Sequence, residues 1–568
     1  MVSRNRCNTA FEAGCIVNLI KILGSPILRW KMRYLKRFRR ALAETQDLQM
    51  QLLRQKLLAV SGSSFARDHG LHASMDLMDF QKAIPIAGYD RIRPYVDRVM
   101  QGDHEALFAA GTRIIMYAVS SGTTGPAKHI PVTAAQVGDY RRSWTVWATG
   151  VAESYPDVAF NKVVSLASGW RAGTAPDGVP LGSISGKLAT VMHSTLRLTN
   201  VLSPRLAEFE NTRSRYYLYL RLAMTYDNVM MLTTANPSTL IQFSRWGDLW
   251  KEDLVRDIFD GGLSRCDDLP PVLRSMVRSR VSVRNPKRAR HLEKLAAAND
   301  GLWPKDYWPK LQVLGVWTGG TTTPYLNLLP KHFGDLPLRD HGLSASEGRV
   351  TIPLTDNSAS GVLDVTSNFY EFIPVAEKNS EHPTVLLAHE LDPGQDYFVI
   401  LTTSGGLLRY DLHDVVRCEG FAGCAPLLRF LNKGAQFSSV TGEKISAFQV
   451  AEAFRKAIAH LNLAVGDFTL QPVWGDPPFY RLVIEEGSLQ ERAVGEKLAV
   501  MMDQFLREGN LEYHEKRKSE RLGHIVTEVV PTGTFMILRD NRVRDDGVSL
   551  EQYKHPLLIN DMDFRFAG

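Results

Sequence analysis

The chain has 568 residues, 44% of them hydrophobic and 23% charged, with a net charge of +6. That length exceeds one ordinary core, so two or more domains are expected, and the composition excludes an intrinsically disordered chain. The mild positive excess suits anionic ligands such as nucleotides but is not the basic stripe of a nucleic-acid binder, so no nucleic-acid partner is expected.

Five cysteines (Cys7, Cys15, Cys266, Cys418 and Cys424) form no C-x-x-C pair. Free thiols in a reducing compartment follow, with Cys418 and Cys424 read as unpaired core residues. Nowhere do about 20 apolar residues run uninterrupted. The best N-terminal candidate, Cys15 to Leu28, is broken by Asn18, Lys21, Gly24, Ser25 and Pro26 and lacks a cleavage site. A cytoplasmic protein without a membrane span is expected.

After Pro26 the chain turns basic (Arg29, Lys31, Arg33, Lys36, Arg37, Arg39, Arg40), with Trp30, Tyr34 and Phe38 interleaved. Met50, Leu53, Leu57 and Val60 then recur at helical spacing up to Ser61-Gly62-Ser63. This predicts one long helix or two abutting ones, docked on their own domain rather than on a membrane. From about residue 110, strands at Ile114–Val119, Leu311–Val316 and Tyr397–Leu401 alternate with helices at Ala207–Met224 and Leu240–Phe259. Such alternation predicts an α/β fold with helix-covered sheets. At Leu431-Asn432-Lys433-Gly434 the texture changes again. Helices at Ala447–Leu461 and Leu489–Glu508 flank a strand at Phe479–Ile484, a small α+β unit. The expected division is a large unit at 1–431, with a helical lead-in to about residue 105, and a small one at 432–568, hinged near Gly434.

The run Ser120-Ser121-Gly122-Thr123-Thr124-Gly125-Pro126-Ala127-Lys128 follows a buried strand. Glycines admit backbone N–H groups to phosphate oxygens, hydroxyls donate, and lysine offsets charge. The spacing is not that of the Walker-type loop. An ordinary polar turn would carry the same residues.

This run resembles the phosphate loop of the adenylate-forming enzymes. Its Ser-Ser-Gly-Thr-Thr-Gly form is most similar to the auxin-responsive acyl-acid amido synthetases of plants and their bacterial relatives. Companions follow in order. Trp317-Thr318-Gly319-Gly320 falls where that family lines the adenine pocket. Leu343-Ser344-Ala345-Ser346-Glu347-Gly348 resembles its Tyr-x-Ser-Ser-Glu element, so the resemblance makes Glu347 the Mg²⁺ ligand and puts Leu343 in place of the tyrosine against adenine. Tyr410-Asp411-Leu412-His413-Asp414 is similar to Tyr-Arg-x-Gly-Asp, making Asp414 the acceptor of both ribose hydroxyls. Asp411 and His413 depart from the family's arginine and glycine. Thr441-Gly442-Glu443-Lys444 and Gln552-Tyr553-Lys554-His555-Pro556 resemble two small-domain elements whose lysines reach the nucleotide in different poses. Pro85 to Gly102 reads like the segment before the phosphate loop.

The resemblance implies a large adenylate-forming domain with a smaller, mobile C-terminal one, and ATP and Mg²⁺ as cofactors. It implies activation of a small-molecule carboxylic acid as an acyl-adenylate, then transfer to an amine or amino acid by a monomeric enzyme. Lys128, Lys444 and Lys554 would serve the charge built up in catalysis. An acyl-CoA synthetase and a relative that has lost catalysis are the alternatives. Gly182-Ser183-Ile184-Ser185-Gly186 has isoleucine where a hydrolase of the G-x-S-x-G type has its serine, and is assigned instead to the acyl pocket.

Overall fold

The computed structural model describes residues 26–120, 128–167, 169–190, 199–319, 322–378, 380–433, 437–438, 440, 443, 445–475, 477–488, 492–518, 522–545, 550 and 553–566. The lead-in is two abutting helices, over 26–41 and Thr45–Val60, joined by a 3-10 turn at Leu42–Glu44. Leu35, Phe38, Leu42, Leu53, Leu57 and Val60 enter one core, so the apolar stripe docks on its own domain. Its arginines face outward, and Arg39 meets Glu153 at 2.6 Å.

Three sheets form the large unit. In the first, the order is Lys128–Thr133, Ile114–Ser120, Pro180–Gly182, Arg171–Thr174. The first pair is an antiparallel hairpin, and Ile114–Ser120 runs parallel to Pro180–Gly182. The second sheet is wholly parallel: Lys162–Ser165, Val229–Thr233, Val313–Val316, Leu338–Asp340. Parallel strands need crossovers, and helices between residues 212 and 333 supply them around a second apolar core. The third sheet has seven antiparallel strands, centred on Asp396–Thr402, Tyr410–Ala422 and Ala425–Lys433.

Element ends differ from expectation for local reasons. Helix Thr212–Met224 starts late because Asn211 accepts the Ser214 N–H as its cap, leaving Pro204–Glu208 as a 3-10 turn. The stretch at 240–259 is two helices, Pro237–Leu249 and Lys251–Asp260, broken at Trp250, whose ring stacks on Trp246 at 5.3 Å. Cys266 and Cys418 are buried free thiols, but Cys424 is exposed, because it sits in the turn between two long strands. Cys7 and Cys15 lie outside the described residues.

The C-terminal part builds its own core on a three-stranded sheet, Phe468–Val473, Phe479–Glu485 and Val526–Val530. Helix Ala447–His460 opens with a Ser446/Gln449 capping box, and Phe454 stacks on Phe468 at 3.6 Å. Phe448 packs against Ile373, Phe398, Ile400, Val415 and Leu431 of the large sheet. Asn236 Nδ2 donates to the Tyr553 carbonyl at 2.7 Å.

Candidate active site

The buried strand Ile114–Ser120 carries Ser120 to its end, paired in register with Lys128. The loop between them, holding Ser121, Gly122, Thr123, Thr124 and Gly125, lies outside the described residues. Lys128 Nζ stands 3.5 Å from Tyr410 Oη, and Tyr410 Oη stands 3.4 Å from Glu347 Oε1. Three separate segments therefore meet through one phenol. Burial, reinforced by the Glu347 carboxylate, pushes the Tyr410 hydroxyl well above its ordinary pKa, so it stays a donor.

Helix Ala134–Ser154, which follows the hairpin of Ile114–Ser120 and Lys128–Thr133, positions the acidic loop. Gln136 Nε2 donates to the Glu347 carbonyl at 2.9 Å, and one turn later Tyr140 Oη donates to the Ala345 carbonyl at 2.5 Å. Leu343 is buried, its N–H bound to Thr351 Oγ1 at 2.8 Å, while Ser346 is half-buried and Glu347 is 7% exposed. Between Gln136 and Tyr140 the same helix presents Asp139, which takes Lys56 Nζ at 3.1 Å and Ser404 Oγ at 2.9 Å. Gly405 follows, and a Cβ there would lie 2.4 Å from Gln136 Oε1. One helix thus grips the acidic loop and the turn that leads into the Tyr410 strand.

On that strand, Asp414 is 1% exposed and pairs in register with Lys433. His413 has φ +57°, a left-handed conformation that explains why glycine suits the position. Histidine holds it here because Asp411 accepts the His413 N–H at 2.7 Å and meets its ring at 2.9 Å. Arg409 (φ +46°) is buried on Glu371 at 3.0 Å. Trp317 brings its loop to the same place, 5.7 Å from the Phe430 ring on the partner strand. Thr318 is anchored by Asp340 Oδ2, which accepts both its N–H and its hydroxyl at 2.5 Å. Gly319 is buried beside it, and Gly320 lies outside the described residues.

Lys554 is exposed between buried Tyr553 and His555. Lys444 lies outside the described residues, but its neighbour Glu443 is fully buried and accepts from Tyr480 Oη at 2.7 Å. Gln136, Asp340 and His341 are supporting residues that motif reading passes over, whereas Tyr410 is the first residue of the Tyr-x-x-x-Asp element. His341 lies 5.2 Å from both Trp144 and Trp147, with Nε2 2.8 Å from Thr233 Oγ1. Burial, with Arg349 nearby, pushes its pKa down to about 3, so the ring is neutral.

The Lys128 hairpin, the Glu347 loop and the Tyr410 strand converge, and a small α+β unit packs on the large one, the arrangement of the adenylate-forming class of ligases. The fold agrees: the GH3.15 acyl acid amido synthetase superposes with a TM-score of 0.80 at 22% identity, covering 93% of this chain and 94% of that one. The chain matches the GH3 family N-terminal domain over residues 34–338, the central domain over 361–433 and the C-terminal domain over 448–563, and belongs to the GH3 family. A jasmonoyl–L-amino acid synthetase of Nicotiana attenuata is 26% identical over 537 residues, 90% of this chain and 91% of that protein. An indole-3-acetic acid-amido synthetase of Arabidopsis thaliana is 23% identical over 555 residues, 91% and 89% of the two chains.

Proposed function

We propose that this chain activates a small carboxylic acid with ATP and transfers the acyl group to the amine of an amino acid. The observation that carries this reading is the Lys128–Tyr410–Glu347 contact, which joins the phosphate hairpin, the acidic loop and the Tyr-Asp strand in a chain matched along its length by GH3 domains.

In the first half-reaction the carboxylate oxygen attacks the α-phosphorus and pyrophosphate leaves. Ser120, Ser121, Gly122, Thr123, Thr124 and Gly125 wrap the phosphates, and Lys128 offsets the charge they gather. Thr318, Gly319, Gly320 and Leu343 cover the base, Ser346 borders it, and Asp414 accepts the ribose hydroxyls. Glu347 suits Mg²⁺: it is one nearly buried carboxylate, and that ion takes one or two carboxylates with phosphate oxygens and water. When bound, the ion supplies positive charge to the phosphate oxygens. In the second half-reaction the neutral amine attacks the acyl carbon, the acyl–phosphate bond breaks, AMP departs with the electron pair, and the new amide nitrogen releases one proton to solvent. Tyr410 stays protonated and orients Glu347 beside Lys128 throughout.

The working parts in this reading are a large unit, 1–431, and a mobile small one, 432–568. Lys444 and Lys554 approach the nucleotide as the small unit turns near Gly434. The enzyme acts as a cytoplasmic monomer. No helix among the described residues is long and apolar enough to cross a membrane.

The test is ATP–pyrophosphate exchange over aromatic, fatty and small carboxylic acids, followed by an acceptor panel on the best acid. Acid-dependent exchange with AMP release that needs an amino acid is expected. Release that needs CoA instead assigns the chain to acyl-CoA synthesis, and no exchange with any acid refutes adenylation.

A further inference from the structure

The short strands beside the phosphate hairpin carry a charged feature with no role in the steps above. Trp170 is 7% exposed, and two cations lie over its ring: Lys187 Nζ at 4.0 Å from the centroid and the Arg171 guanidinium carbon at 4.9 Å. Among the described residues neither cation has an ion-pair partner. Glu208 acts on Lys187 only at longer range, and Arg171 opposes it. Burial and that like charge both hold the Lys187 ammonium below its ordinary pKa. The segments 121–127 and 191–198, outside the described residues, contain no Asp or Glu. An indole face attracts a cation but leaves its N–H donors unused, so two such cations on one ring favour an anion.

Strand register fixes where this feature lies. Ala118 pairs with Gly182 in parallel, and Gly182 pairs with Arg171. Ser183 N–H donates to the Trp170 carbonyl at 2.8 Å, and the carbonyl passes so close that a Cβ on Gly182 would lie 1.5 Å from its oxygen. Trp170 is therefore two strand spacings, roughly 10 Å, from the end of the Ile114–Ser120 strand where the phosphate loop begins. Lys187 stands on the Ile184–Thr190 turn of helix that leaves the intervening strand at that same end.

We propose that Trp170, Arg171 and Lys187 form a carboxylate-binding subsite beside the phosphate loop, which takes a second carboxylate of the reaction. That group is either the distal carboxylate of a dicarboxylic acyl substrate or the carboxylate of the amino-acid acceptor. The subsite rests on the adenylation reading, because the neighbouring loop is what places a reacting substrate within its reach. Guanidinium and ammonium suit a carboxylate by different means, a planar fork and a mobile point charge.

Two arms separate the sources. Pyrophosphate exchange without acceptor compares dicarboxylic acids with their monoamides. Acyl transfer from a fixed monocarboxylic acid compares amino acids with their α-amides. In one arm the wild type prefers the carboxylate-bearing partner. In Arg171→Gln/Lys187→Gln the ratio of kcat/KM for that partner over its neutral analogue falls about tenfold or more, the scale of a charge-assisted hydrogen bond. Lys187→Arg recovers most of the ratio. Thermal melting is followed in parallel, and the wild-type panel is decisive by itself should a variant fold poorly. No carboxylate preference in either arm, or equal losses on anionic and neutral partners, overturns the subsite and leaves adenylation standing. Absence of exchange with every acid removes both.

Discussion

Asp340→Asn separates what anchors the Thr318 loop from what stabilises the fold. The wild-type carboxylate is fully buried, takes two donors from Thr318 on Oδ2, and takes the Gly342 N–H on Oδ1 at 2.5 Å. Burial raises its pKa from 3.8 to about 6, with the hydrogen bonds and Arg349 acting in the opposite direction. A raised carboxyl pKa means that the folded chain keeps a proton the unfolded chain has released. The group's favourable contribution is full below pH 3.8 and is lost as pH rises through about 6. Above that range the buried charge costs about 3 kcal/mol, two pKa units at about 1.4 each. His341 titrates with the opposite effect: its pKa falls from 6.5 to about 3, so its contribution is present above 6.5 and drains away on acidification. The two groups compensate in the wild type. Asparagine removes the charge but strands one donor, costing about 1–3 kcal/mol, so near pH 8 the two changes largely cancel and Tm shifts by only a few degrees. Between about pH 8 and pH 4 the variant loses about 3 kcal/mol more stability than the wild type, because the His341 loss is no longer offset. KM for ATP rises about fivefold to thirtyfold, from about 1–2 kcal/mol of lost loop preorganisation. Denaturant unfolding across pH and pyrophosphate exchange at varied ATP measure both. A stability difference that does not change with pH, or an unchanged KM, refutes the reasoning.

Tyr410→Phe removes the hydroxyl between Lys128 and Glu347, and about a tenfold fall in kcat/KM for exchange is expected with little change in Tm, since the ring stays buried. Asp414→Ala is expected to erase discrimination between ATP and 2′-deoxy-ATP in exchange kinetics; a variant that still prefers ATP by the wild-type ratio removes Asp414 from the ribose. Lys56→Met removes the buried cation 3.1 Å from Asp139 Oδ2 and leaves the carboxylate with the half-exposed Arg142 on its other oxygen. The expected loss is about 2–3 kcal/mol in denaturant unfolding, below the cost of a fully unpaired buried charge because Arg142 remains, and much of it is recovered by adding Asp139→Leu.

The parts of the site legible in the sequence are those carried by short local patterns: a strand and then hydroxyls, glycines and a lysine, or an acid closing a six-residue element. Such patterns encode a backbone path and a chemical group within a few residues. The supports are different in kind. Nothing near Gln136 in the sequence points to the Glu347 carbonyl, and nothing near Asp340 points to Thr318, because both contacts are created by packing between separate elements. The exposed Cys424 and the break at Trp250 escaped for the same reason: a strand turn and a helix–helix joint are set by what surrounds them.

His413 shows how a departure from a motif can be structurally conservative. The position demands a positive φ, which disfavours a side chain by about 1–2 kcal/mol. Asp411, itself a departure from the family's arginine, accepts the His413 N–H and pairs with its ring, offsetting that strain within the turn. The two replacements are therefore coupled, and neither is interpretable alone. Replacing Asp411 with the family's arginine while keeping His413 should distort the turn and raise KM for ATP, whereas the double change Asp411→Arg/His413→Gly should restore it. Exchange kinetics on the two variants distinguish a coupled turn from two independent losses, for which the double variant would be no better than the single.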